Sequence, residues 1–312
     1  MINFTKHRRI YFIFSGILIL ASIVCLVVFG LNPGIDFTGG SILEIEYKGE
    51  RPSNQEITEQ LSGFDLGTVY IQPTGEKGVI LRMKHIDESV HQEIIQSFGQ
   101  VEVEGLEVQG VELVGISSVE ERRFESIGPV IGQELKEKTK IVVALVLLSI
   151  VIYIALAFRK IQKPLKSWHY GIISVLALFH DILIPLGIFA ALGRFYNVEI
   201  TIPVITALLA VLGYSVNNTV VVFDRIRENL LKRGGLFEDV VDMSLNQTLT
   251  RQINTSLTTL FVVAAIFFFG GETLKYFALA LILGIAAGTY SSIFLAGSLL
   301  VLWFRWRERR AG

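Results

Sequence analysis

His180 and Asp181 sit about midway along an apolar run from Trp168 to Leu192, and Asn217 and Asn218 lie inside a second one, within LGYSVNNTVVVFDRIREN. Hydrocarbon offers no water to such groups, so each must face protein or a wet cavity. An ionised Asp at a helix centre costs roughly 2.5 to 3.5 kcal/mol on insertion scales, so Asp181 must be neutral, paired or hydrated. Pro185 removes its own N–H and displaces the carbonyl of residue 181, which predicts a kink where the acid lies. An acid and an imidazole at this depth can take up and release protons. The other reading is a hydrogen-bonded acid that ties helices together.

A third polar cluster, Thr250 to Thr259, opens a later apolar run with Arg251, Gln252, Asn254, Thr255 and Ser256. Together with Ser215, Asn217 and Thr219 it supplies amide and hydroxyl groups around Asn218. Such oxygens can hold hydrogen bonds or a cation such as Na⁺, but an amide does not titrate at physiological pH. Asp224, Arg225, Arg227 and Glu228 follow at helical spacing, as interfacial anchors or as a contact with the next loop. Gly284 and Gly288 form a GxxxG at which another helix can approach closely.

These residues need helices that cross a membrane. The 312 residues are 51% hydrophobic and 18% charged, with a mean hydropathy of +0.54, beyond an ordinary water-soluble domain. Six stretches are long enough to span hydrocarbon: 10–31, 141–158, 168–192, 200–223, 253–270 and 276–304. Sixteen basic residues fall in the amino tail, the 159–167 and 224–252 loops and the carboxyl tail, whereas the two short opposite loops hold only Arg194 and Lys275. The positive-inside rule therefore puts both termini in the cytoplasm of a multi-pass protein of the cell membrane. The first span exceeds a signal peptide's apolar core and lacks a cleavage pattern, so it is expected to stay as an anchor. Cys25, the single cysteine, lies within it and is expected to pack.

Four regions follow: 1–31, tail and first span; 32–138, an outer domain and linker; 139–304, the remaining spans; and 305–312, a basic tail. Residues 31 to 140 carry 20 acids against 10 bases, which argues against nucleic acid as a partner. Within the outer domain, Ser41 to Tyr47 alternates as a half-buried strand. Ser53 and Glu56 form a capping box ahead of Ile57, Leu61 and Phe64. Strands at 68–72 and 79–85 flank a turn, Asp87 caps a second helix carrying Val90, Ile94 and Phe98, and further strands are expected at 101–108 and 111–116. The order is β-α-β-β-α-β, the ferredoxin-like arrangement, giving an α+β domain between the first two spans. His85 and His91 have no metal-ligand spacing and are expected at solvated or rim positions. No nucleophile with a base, phosphate loop or metal cluster is present, so neither enzymatic chemistry nor a cofactor is expected.

The order of short strings around these spans resembles the SecF proteins of the SecD/SecF protein-export family, within the RND superfamily. GIDFTGG (Gly34 to Gly40, with Asp36, Gly39 and Gly40) leads into the outer domain, and IGPVIGQEL (Ile127 to Leu135) precedes the second span. A His-Asp pair, GYS with DRIREN, a polar fifth span and GTYSSIF from Gly288 complete the set. The family usually has aspartate at 218 and threonine at 252, where this chain has Asn218 and Gln252. The resemblance implies an aspartate at 218 that would exchange a proton under the influence of an arginine matched by Arg251. It also implies a subunit that works with SecD and the SecYEG channel, embedded in lipid, to drive exported polypeptide outward with a proton or sodium gradient. An RND-type exporter of a lipid or small molecule, and a scaffold that conducts nothing, remain open.

Overall fold

Alternation of apolar and charged residues builds β1 (Gly40–Tyr47), in which Leu43, Ile45 and Tyr47 are buried. In the computed structural model, which describes residues 2–99, 119–157, 165–233 and 235–311, this strand lies inside a four-stranded antiparallel sheet. Its neighbours are β2 (Tyr70–Thr74), β3 (Gly78–Met83) and β4 (Val119–Ile127), in the order β2-β3-β1-β4. Helices α3 (Asn54–Leu61) and α4 (Glu88–Gly99) contribute Ile57, Leu61, Ile94 and Phe98 to one core with Val79, Leu81 and Met83. The Ser53 hydroxyl accepts from the Glu56 amide, and the Glu56 carboxylate accepts from the Ser53 amide, closing the capping box at the start of α3.

The edge beside β1 departs from the sequence expectation. The strands expected at 101–108 and 111–116 lie outside the described residues. β4 falls further on, in a stretch for which the sequence pattern names no element, because VEERRFESI carries too many charges to look like a strand. Its pairing with β1 is interrupted by a bulge between Glu44 and Ile45. Pro73 sits in β2, at the sheet edge, where its missing N–H breaks no ladder bond.

His91 is also corrected. It is buried rather than solvated, stacked flat on Phe124 at 3.7 Å between ring centroids, with Nδ1 3.2 Å from Glu88 and Nε2 3.3 Å from Glu121. Hydrogen bonds from Gln92 and then His91 hold the Glu88 carboxyl below its ordinary value of 4.5. A carboxylate lowered in the folded state stabilises the fold above its unfolded value, and that contribution disappears as pH falls through the lowered value. Acid titration of the thermal midpoint should therefore show a steeper loss below about pH 4.5 in the natural chain than in Glu88→Gln. Equal slopes would mean that these bonds are absent in solution.

The turn into β1 requires its glycines. Gly39 has φ +72° and Gly40 φ +132°, and a side chain would also meet Pro129 Cα at 2.8 Å or the Met83 carbonyl at 2.9 Å. Gly132, in the first turn of α5 (Pro129–Ala157), presses equally closely on the Gly39 amide.

Residues 33–139 form one unit; the other joins 1–32 to 140–312. The second unit contains α1 (Arg8–Phe29), the lower part of α5, α6 (Ser167–Tyr196), α7 (Ile202–Arg233), α8 (Phe237–Phe269), α9 (Glu272–Tyr290) and α10 (Gly297–Ala311). A π-helical turn, Ser291–Ala296, joins the last two into one span. Six stretches are long and apolar enough to cross a membrane. α6, α7 and the α9–α10 span form the centre, and α1, α5 and α8 the periphery. α6 runs as one helix through Pro185. The expected 224–252 loop is instead mostly helix, because α7 continues past its apolar stretch to Arg233 and α8 begins at Phe237, ahead of its own. Hydropathy located the oily part but not the helix ends. Charged pairs at helical spacing, Arg225–Glu228 and Lys232–Glu228, carry the helix onward.

A candidate ion-coupling site among α6, α7 and α9

Asp181 is fully buried. One carboxylate oxygen, Oδ2, accepts from the hydroxyls of Ser215 on α7 and Ser291 on the π-helical turn, the latter at 2.8 Å. The other, Oδ1, lies 2.8 Å from Nδ1 of His180. Three elements thus converge on one acid, and the geometry gives a physical reason for each neighbour. Gly288 leaves room, since a Cβ there would come within 3.0 Å of the Ser215 Cβ and 3.5 Å of Asp181 Oδ2. Gly284, one turn earlier, lies against Val211, where a Cβ would meet the valine methyls at 2.4 and 2.6 Å. Ser291 opens the π turn seven residues after Gly284 and three after Gly288, so it lies on the same helix face as those glycines.

A second polar line runs between α7, α8 and α9. Tyr214 donates to Ser256 at 2.9 Å, Ser256 contacts Thr289 at 2.7 Å, and Thr289 donates to the Ile285 carbonyl. Beside it, Ser292 donates to Gln252 at 2.7 Å, and the Gln252 amide reaches Thr248 at 3.3 Å. Asn218 lies one turn on from Tyr214, level with Gln252 on the antiparallel α8. It is buried, as is Thr219, and its amide nitrogen has no hydrogen-bond partner among the described residues.

The remaining site residues are dispersed. Asn217, one position from Asn218, points away from this line and borders a pocket of 460 Å³ with Gly213, Val216 and the α5 residues Leu145 and Tyr153. Consecutive helix positions differ by about 100° in direction, so the pair cannot share one face. Thr255 is exposed, unlike its neighbour Ser256. Arg251 is exposed as well and lines a pocket of 280 Å³ with Asp224, Arg225, Glu228, Gln247 and Thr248. No hydrogen bond or ion pair joins it to Asn218 among the described residues. Arg225 and Arg227 pair with Glu228 and Asp224 at 2.6 and 3.3 Å. Asp36 is half-buried ahead of the double glycine.

Sequence reasoning missed Ser291 and Ser292, which were legible only as small residues in GTYSSIF. It also placed Asp242 in a loop. That acid is buried on α8, accepting from the Thr5 amide at 2.9 Å and the Thr5 hydroxyl at 2.7 Å.

Comparison with known proteins meets the same elements. Residues 110–306 match the family model "Protein export membrane protein SecD/SecF, C-terminal", and residues 26–50 match the SecD/SecF GG motif. Protein translocase subunit SecF of Thermobaculum terrenum is 39% identical over 97% of this chain and 94% of its own. The protein of the same description from Vibrio alginolyticus is 39% identical over 96% of this chain and 88% of its own. Among solved structures, SecDF of Thermus thermophilus, a translocon-associated membrane protein, superposes with a TM-score of 0.78 at 31% identity over 97% of this chain. SecDF in its super-membrane-facing form gives 0.67 at 30% identity over 99%. The chain spans only 38% and 40% of those two chains. The double glycine, the six apolar helices and near-full-length identity to translocase subunits agree, and the chain belongs to the SecF family of protein-export membrane proteins.

Proposed function

We propose that this chain is an auxiliary subunit of the Sec translocase. With SecD, and beside SecYEG, it uses a proton or sodium gradient to promote export of polypeptides across the cytoplasmic membrane, with both termini on the cytoplasmic side. The role is mechanical rather than enzymatic. The observation that carries the ion-coupling part is the buried Asp181, held at mid-span by groups from α6, α7 and the π turn. A charge moved across 100 mV releases about 2.3 kcal/mol, and repeated transfers can bias two alternative packings of the helices. The close approach of Gly284 to Val211 and of Gly288 to Ser215 makes the α7–α9 contact one that has few intermediate positions.

Asn218 supports a division of labour in which this subunit's own titratable groups, or those of SecD, carry the proton. Vesicles containing SecD, SecYEG and either the natural chain or Asn218→Asp test it through gradient-dependent export. A several-fold gain in the aspartate form would identify residue 218 as an interrupted proton site. Equal rates are expected if the His180–Asp181 pair carries the proton. Export that ignores collapse of both the proton and the sodium gradient, in both forms, would leave a scaffold.

A further inference from the structure

We infer that the atom that gains and loses the proton is Nε2 of His180, with Asp181 as its fixed counter-charge, and that the seam between α1 and α6 is the proton's way in. This rests on the ion-coupling reading above and specifies where in it the proton resides. Asp181 is occupied on both oxygens: two hydroxyls meet Oδ2, and His180 Nδ1 meets Oδ1. His180 is only 1% exposed, yet its Nε2 has no hydrogen-bond partner among the described residues. Asp181 accepting from Nδ1–H fixes the tautomer, so Nε2 presents a lone pair. A solvent proton then forms the Nε2–H bond, and the imidazolium formed lies directly against the carboxylate. Breaking the same bond toward water on the other side completes the transfer, with no other bond changed.

Hydroxyl groups lie on the helices beside the imidazole. α1 and α6 run parallel, since Gly187 meets Ser22 and Gly193 meets Asn32. Stepping back seven residues on each helix sets His180 level with Ser15. Ser15 and Ser22 are the two buried residues of α1, on an otherwise apolar helix. The Ser15 hydroxyl is 3.4 Å from Tyr290 Oη, which donates to the Tyr11 carbonyl at 3.1 Å, and the Tyr290 ring stacks on His180 at 6.0 Å. Among the described residues, the titratable groups in contact with the imidazole are Asp181 on its own helix and Tyr290 from α9.

The test is nitrogen NMR of ¹⁵N-histidine-labelled full-length chain with SecD in lipid nanodiscs, the signal assigned by its loss in His180→Gln. The expected result is an Nδ1–H tautomer in alkaline buffer and a doubly protonated ring in acidic buffer. Asp181→Asn should abolish the tautomer preference. An Nε2–H tautomer, or two nitrogens unchanged between the two buffers, would overturn the assignment. Tyr290→Phe keeps the ring and should slow proton uptake after a pH jump several-fold without moving the tautomer; unchanged uptake would remove the seam as the route. In vesicles with SecD and SecYEG, gradient-dependent export that survives His180→Gln but not Asp181→Asn would defeat this inference and leave the coupling reading intact. A titrating His180 without any gradient-dependent export would do the reverse.

Discussion

Asp181→Asn is expected to lower export from energised vesicles to the rate seen when the gradient is collapsed, while SecD still co-purifies. Asparagine keeps the shape of the acid but turns one acceptor oxygen into an NH₂ donor. At this position every neighbour is arranged to donate: the hydroxyls of Ser215 and Ser291 on one side, Nδ1 of His180 on the other. The NH₂ therefore obliges a serine hydroxyl or His180 Nδ1 to turn from donor to acceptor, and whichever cannot do so is left unsatisfied. Leaving a buried polar group unsatisfied costs about 1 to 3 kcal/mol, enough to shift the balance between two helix packings even if the bundle stays folded. Loss of the charge removes the counter-ion of His180 as well, so the functional effect should exceed the structural one. The comparison to make is gradient-dependent against gradient-independent export in the same vesicles. A variant that keeps its full response to the gradient would reduce Asp181 to a hydrogen-bonded tie between helices.

Gly187→Ala should be the most damaging methyl group that can be added to α6. A Cβ at 187 would lie 2.4 Å from Ser22 Cα and 2.5 Å from its Cβ, so the obstacle is the α1 backbone itself and no rotamer relieves it. Overpacking usually costs about 1 to 3 kcal/mol, and a clash with a backbone belongs at or above the upper end. α1 must move away, and Ser15 with it. Gly171→Ala on the same helix is the control, since its Cβ would stand at an ordinary 3.7 Å from Ile154. Thermal unfolding in detergent should show a large drop in midpoint for the first variant and little change for the second. Equal midpoints would mean that α1 and α6 are less closely docked than 2.4 Å implies.

Much of the frame is written in the sequence because the forces that set it are local or depend on composition. Six apolar runs can only be satisfied in lipid as helices, and Ser53 with Glu56 states its own helix start. The double glycine at 39 and 40 marks a turn that no other residue could make, and strict alternation gives β1 its buried face. Asp181 could be singled out for the same reason, as an acid too deep to be accidental. What the sequence could not decide was direction around each helix and partners across space. Only the packed bundle separates Asn218, buried, from Asn217, which looks outward, and sends Arg251 to a different pocket from the one its motif suggested. Ser291 became a ligand of Asp181 because it shares a helix face with Gly284 and Gly288, and nothing local to that segment states which helices the face will meet. Polar groups far apart in the chain meet because three helices close on glycines, and that closeness is a property of the fold rather than of any single segment.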